Sequence, residues 1–369
     1  MHASHSSADL ISIIAVLDPR YGNGGKLMKS IAAQTCTGFE LVCVSPGELP
    51  RSITKYDLPM AEVRCDGDAA AMRRAGLEAS SGRYVLFLNG CSRLAPGAAA
   101  RLADSASRFK RDHVEVFSFH MQVADSKSGR YLSTRYEADY LPLSPFGPKA
   151  CAGSILQICG ANLGGMLIER EHLDVVLRGG DFACDNPIDD ELVAIRALCG
   201  AETVHRTASP LSGIVYDREE FAQSLTLGQI ERRLELAAGA APFFERHDRR
   251  VFAGSYAQWL ADFALGCLDG QTDGMSERVL EAIGATVSPV VRDLRDCGAG
   301  AGNWENRRKV ELLELDKMAL IEERIDCERR LVGQMCDMQL ESIGCLRDGG
   351  SDRADVPKPG RRKRRLFGR

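Results

Sequence analysis

No stretch of this 369-residue chain holds the ~20 consecutive apolar residues that a membrane-spanning helix needs. The longest apolar runs, such as Ile11 to Leu17 and Tyr84 to Leu88, have the length of buried strands. The opening MHASHSSADL lacks a basic segment followed by an apolar one, so no secretory leader is expected and the chain reads as cytoplasmic. No Cys-x-x-C pair occurs among thirteen cysteines, an odd number in a long chain. That argues against a disulfide framework or a metal cluster and for reduced, mostly buried thiols. No internal repeat is found. What is present, 44% hydrophobic and 27% charged residues, suffices for one large domain or two ordinary ones. It excludes collagen, a coiled-coil rod and disorder throughout.

The formal charge of −4 conceals an asymmetry. Residues 358–369 hold seven Lys or Arg and no acid, so removing them leaves residues 1–357 at −11. An acidic body argues against a broad nucleic-acid surface. A short cationic end is the usual form of a local anchor to phosphates, whether of lipid or of nucleic acid.

ISIIAVL (11–17) is apolar and β-branched, and the turn Asp18-Pro19-Arg20 closes it; Gly22 to Gly25 then leads into a helical pattern, Leu27 to Ala33. FELVCV (39–44) predicts a second strand ending in Ser45-Pro46-Gly47, and Ala69 to Ala79 a helix capped by Asp68. A third buried strand over RYVLFLN (83–89), a helix from beyond Pro96 to about Phe109 and an alternating strand over VEVFSFHMQV (114–123) follow. Such alternation predicts an α/β fold with a mostly parallel sheet, helices on both faces and ligand sites at the carboxyl ends of the strands. Ser126 to Gly129 reads as a hairpin turn within a loop-rich, aromatic segment that runs to Pro148. Strand character returns from Asn162 to Arg170. The acids from Asp185 to Glu191 open a helix over Glu191 to Leu198, and Thr203 to Arg206 and Ile214 to Tyr216 read as two short final strands. Helices are then predicted at Leu225 to Ala238, Tyr256 to Leu268 and Ser276 to Ile283, with a glycine break at Gly298 to Gly302 before a last helix, Glu305 to about Leu346.

Three stretches keep a common order and spacing over roughly residues 10–220. SIIAVLD (12–18) precedes SIAAQT (30–35); AMRRAGLEASSGRYVLFLNG spans 71–90; and NLGGMLIERE (162–171) precedes Phe182 and Asp189-Asp190-Glu191. Together they resemble the family 2 glycosyltransferases with the GT-A nucleotide-diphospho-sugar fold, in particular the bacterial capsule and cell-wall polysaccharide type. That family opens S-I-I-x-P-V-Y-N with S-I-x-x-Q-T, continues A-R-N-x-G-I-x-x-A-x-G-x-Y-I-x-F-L-D, and closes with N-K-L-Y-x-R-E, F and E-D-E. The middle match is the most specific of the three. The resemblance implies a nucleotide-sugar donor, a glycan or lipid-linked acceptor met by the loop-rich segment, and Asp18 and Arg73 as donor-binding groups.

The departures are equally informative. Where the family's buried strand ends in the D-x-D that binds a divalent ion, this chain has Asn89, Gly90 and Cys91. An amide and a soft thiol are poor substitutes for hard oxygen anions around Mg²⁺ or Mn²⁺, so no metal cofactor is expected. Asn89 and Cys91 are kept as donor-side residues. The family's base-reading D-D-G-S is here Ser45-Pro46-Gly47-Glu48, so that carboxylate is absent or displaced to Glu48.

Asp190 aligns with the family's general base, which deprotonates the acceptor hydroxyl. Asp185, Asp189 and Glu191 supply like-charge neighbours that raise a carboxyl pKa, and Asp189 and Glu191 stand as its support. The macrodipole favours acids at a helix N-terminus without any function, so both readings stand. Asp66-Gly67-Asp68 precedes a helix and reads as its cap, and YGNGG (21–25) as an ordinary loop. His205 and Tyr216-Asp217-Arg218 occupy the place of a Y-Y-R element near the diphosphate, where Arg218 offers charge in place of a metal. His113 and His120 are placed on opposite faces of one strand and form no ligand pair.

The chain therefore divides into a GT-A-like domain (1–225), a helical extension (226–303), a long amphipathic helix (304–347) that packs on its own domain or self-associates weakly, and a disordered basic tail (348–369). The tail is expected to seek an anionic membrane surface, on the inner face, with nucleic-acid phosphates as the competing target. The implied function is metal-independent sugar transfer. The alternative is a non-catalytic relative, a scaffold or subunit of a polysaccharide-synthesis complex.

Overall fold

A computed structural model describes residues 11–19, 22, 24–35, 38–125, 145–153, 155–178, 189–216, 226–246, 249–268, 271 and 273–296. The chain divides into two compact units, Met1–Leu315 and Asp316–Arg369, and every described residue lies in the first. The segments 304–347 and 348–369, the turn at 126–129 and the Gly298–Gly302 break lie outside the described residues.

The first half alternates between strands and helices: β1 (Ile11–Val16), α1 (Gly25–Ala32), β2 (Glu40–Ser45), the short α2 (Arg51–Thr54), β3 (Ala61–Arg64), α3 (Ala69–Glu78), β4 (Tyr84–Asn89), β5 (Ser92–Leu94), α4 (Ala98–Asp112) and β6 (Val116–Asp125). Then come α5 (Ile155–Cys159), β7 (Met166–Glu169), α6 (Arg170–Arg178), α7 (Asp189–Gly200) and β8 (Val204–Tyr216). Four helices follow: α8 (Leu227–Gly239), α9 (Pro242–Glu245), α10 (Ala253–Gly266) and α11 (Asp273–Asp296).

One sheet runs β3-β2-β1-β4-β7-β6-β8-β5. The pairs β2/β3, β1/β2, β1/β4 and β6/β8 are parallel, while β7 and β5 run against their neighbours. All six residues of β1 are buried, as a strand covered on both faces requires. Ile11, Ile13 and Ala15 on one face join Leu27, Met28 and Ile31 of α1 and Leu86, Leu88, Leu102 and Phe117 in one apolar core.

Four sequence expectations need correction. β3 and β5 were not foreseen, because β3 (AEVR) is a largely exposed edge strand with charged residues and β5 is only three residues long. The two short final strands are one: β8 pairs with β6 throughout, and the register slips between Phe119 and Met121, opposite Pro210. A bulge accommodates the proline there. His113 is not on a strand; it ends α4 in the left-handed region at φ 50°. The last described helix does not stop at Ile283 but continues to Asp296 through Pro289. Val279, Ile283, Val287, Val291 and Leu294 are buried at helical spacing, and that packing outweighs the proline's local cost.

Of the seven described cysteines none is disulfide-bonded; Cys43, Cys159 and Cys199 are buried and the others partly so. Burial pushes the Cys43 and Cys159 thiols up to about 12, which keeps them protonated and inert.

Candidate active site

The residues that carry the sequence pattern chiefly hold the sheet together behind the site. At its amino edge the Ser12 hydroxyl donates to Glu40 at 2.6 Å and accepts from the Gly82 amide at 2.8 Å. A Cβ at Gly82 would lie 2.6 Å from the Ser12 amide nitrogen, so only glycine allows this approach. Arg170 donates to the carbonyls of Gly82 (2.8 Å) and Leu77 (3.0 Å) and to the Ser80 hydroxyl (2.8 Å), gathering the end of α3. The Tyr84 hydroxyl donates to the Val114 carbonyl at 3.2 Å. In the SIAAQT run, Ser30 accepts from the Leu94 amide at 2.9 Å, while Gln34 accepts from Ala99 at 3.1 Å and donates to Ala95 at 3.2 Å. These two side chains fix α1 against β5 and the start of α4.

The opposite edge holds the candidate site. Parallel pairing aligns Val16 with Val44 and with Asn89, so the carboxyl ends of β1, β2 and β4 open side by side. A cavity of about 340 Å³ lies between the first two, walled by Leu17, Pro19, Pro46, Pro50 and Ile53, with Gly22, Ser45, Gly47 and Glu48 completing it. Its size falls in the ~300–1,000 Å³ range of small-molecule sites, and its position is where open α/β sheets bind ligands. The Ser45 hydroxyl is turned onto the Gly47 carbonyl, and its backbone carbonyl accepts from Cys65 at 2.9 Å.

Gly22 joins this cavity to the turn after β4. A Cβ on Gly90 would come within 2.5 Å of the Gly22 carbonyl oxygen, and Gly22 itself holds φ +100°. Gly22 and Gly24 therefore lie directly on Gly90, with Gly22 also against Cys91, a contact that reading YGNGG as an ordinary loop missed. Glycine at both positions, one in each segment, was the available signal. The Ser92 hydroxyl accepts from the Asn89 amide at 3.0 Å and closes the turn.

The predicted site residues divide among these places. Asp18 is buried just past β1, and Asn89 and Cys91 are half-buried on the turn beside Gly22. Arg73 is buried on α3, where it lines a separate space of about 30 Å³ with Phe87 and Val193 of α7. Asp189 and Asp190 begin α7 and Glu191, half-buried, follows in its first turn; the side chains of Asp189 and Asp190, and the whole of Arg218 and Phe182, lie outside what is described. Asp68 caps α3, accepting from the Ala71 amide at 2.8 Å, as expected. His205 is corrected: it sits at the amino end of β8, against Phe109 (5.1 Å) and Phe117 (5.5 Å), away from the ligand edge. Burial there pushes its pKa down. Among the described residues no group of three or more His, Cys, Asp or Glu could hold a metal ion.

No family model matches the chain, and no curated protein does. Solved structures do. TarS 1-349 of S. aureus is 14% identical, with a TM-score of 0.52 over 83% of this chain and 90% of that one. The same protein in complex with UDP-GlcNAc gives 0.53 at the same identity and coverage. Longer TarS gives 0.50 at 15% identity, and there the match spans 55% of that chain. The architecture, a mixed α/β fold with one mostly parallel sheet, is the fold it shares with TarS.

Proposed function

We propose that this chain transfers a sugar from a nucleotide-sugar donor to a glycan or lipid-linked acceptor, as a transferase of the family 2 kind that works without a bound metal. The observation that carries the reading is the cavity at the carboxyl ends of β1 and β2, joined through Gly22 to the turn after β4. It lies in the fold of TarS, which has been solved with UDP-GlcNAc. Asp18, Asn89 and Cys91 line the donor's path, with Arg73 behind them and Arg218 as the cation assigned to the diphosphate. Asp190, flanked by Asp189 and Glu191, takes the proton of the acceptor hydroxyl. That oxygen then forms the bond to the anomeric carbon while the nucleoside diphosphate leaves with the electron pair of the broken bond.

The divalent ion implied by the fold does not fit the donor set: one amide oxygen and one thiol stand where two carboxylates would be needed. Charge on the leaving diphosphate is therefore assigned to Arg218 and backbone amides. The same turn favours the second reading, a scaffold without catalysis. Calorimetric titration with UDP-, GDP- and CDP-sugars, with and without Mn²⁺, separates the two. At least one donor should bind, with affinity changed less than about tenfold (1.4 kcal/mol) by Mn²⁺. A larger gain sinks metal independence, and no binding at all favours the scaffold.

A further inference from the structure

We infer that β3, the strand at the outer end of the sheet, is a self-pairing edge through which two copies of this chain join antiparallel about Val63. β3 has β2 on one side and no described strand on the other. Ala61, Glu62 and Arg64 are exposed there and Val63 is half-buried. Pairing with β2 decides which backbone groups point outward. The Cys65 amide donates to the Ser45 carbonyl at 2.9 Å, and alternate residues of a strand face the same side. Ala61 and Val63 therefore turn their N–H and C=O groups inward to β2, and Glu62 and Arg64 turn theirs out. Those outward groups are what an added strand takes up.

In an antiparallel ladder outward residues pair only with outward residues, which limits the registers open to two copies of β3. One register sets Glu62 against the partner's Glu62 and another sets Arg64 against the partner's Arg64. Like charges directly opposite destabilise both. The register centred on Val63 sets Glu62 against the partner's Arg64, and Arg64 against the partner's Glu62, on one face, with Val63 against the partner's Val63 on the other. Charge usually blunts a strand edge, because an edge of one sign repels its own copy. AEVR carries both signs, placed symmetrically about its valine, and so complements itself. Among the described residues neither Glu62 nor Arg64 is held in an ion pair within the chain. The strand is only four residues long, so the interface is small and the association weak and reversible.

The test is sedimentation equilibrium of the full chain, of Glu62→Arg and of the double exchange Glu62→Arg/Arg64→Glu, with thermal unfolding as a control for fold. The parent should show a monomer–dimer equilibrium at concentrations up to about 1 mM. Glu62→Arg sets arginine against arginine on both sides of the symmetry axis and should weaken the dimer at least about tenfold. The double exchange restores opposite signs and should return affinity to within about threefold of the parent's. Val63→Cys gives a second readout. Its thiol meets its own copy across a non-hydrogen-bonded pair, with Cα atoms about 4.5 Å apart, so mild oxidation should yield a covalent dimer well above the parent's level. A parent that stays monomeric, a dimer indifferent to Glu62→Arg, a double exchange that does not restore it, or no added cross-link in Val63→Cys overturns the self-pairing edge.

Discussion

Three residues carry the sharpest expectations at the residue scale. Gly90 faces backbone, not a movable side chain, so Gly90→Ala must displace the Gly22 loop or the turn itself. Overpacking of this kind costs about 1–3 kcal/mol, and it should weaken donor binding as well. Gly228, in the first turn of α8, has open space where a Cβ would go, so Gly228→Ala should be neutral or stabilising by up to about 1 kcal/mol. Urea midpoints of the two variants measured side by side check the contrast; equal shifts would remove the close-approach argument. Asp190→Asn should lower turnover by about a hundredfold or more with donor affinity nearly unchanged, as loss of a proton acceptor used only in the transition state predicts. Undiminished turnover would move the base to Asp189 or Glu191.

Between elements, the Ser12–Glu40–Gly82 junction ties β1 and β2 to the turn before β4. Burial pushes the Glu40 carboxyl up, but hydrogen bonds from the Ser12 hydroxyl and from Ser81 and Gly82 outweigh it, and the net shift is downward from the ordinary 4.5. A lowered carboxyl adds stability that is present above its unfolded value and is lost as pH falls through its folded one. Unfolding midpoints should therefore drop as the pH is taken below 4.5, and Glu40→Gln should flatten part of that slope. An unchanged slope in the variant would place the acid sensitivity elsewhere. The same scale explains why β8 and α11 exceed their predicted lengths. Pairing with β6 carries β8 past Pro210, and an apolar stripe carries α11 past Pro289.

For the whole molecule, charge separates an acidic body from the cationic end at 358–369. Among the described residues no helix is long and apolar enough to cross a membrane. Independently of that, we propose the tail as a site of attachment to an anionic bilayer, where each cation near the leaflet contributes on the order of 1 kcal/mol. Leu366 and Phe367 add a small apolar insertion. Full-length protein should co-sediment with anionic vesicles at low salt and release at high salt, and a chain ending at residue 357 should not bind. Equal binding by both forms would remove the tail as the anchor.

Strands β1, β2 and β4, the Asp68 cap and the α/β class were legible because buried parallel strands are continuous apolar runs and caps are local chemistry. The residues that carry the sequence pattern have a related basis: Ser30, Gln34, Gly82, Tyr84 and Arg170 are fixed by the geometry of the sheet, whatever the ligand. What pairing and packing decide was not legible. β3 and β5 gain their character only from neighbouring strands, and His205 faces Phe109 and the wrong edge only once β8 has its register. The cavity belongs to the same class, since Leu17, Pro46 and Ile53 become its walls only when β1 and β2 lie side by side and Gly22 folds onto Gly90. Local chemistry wrote the elements of this protein, and long-range contact between segments far apart in sequence made the cavity at the carboxyl ends of its strands.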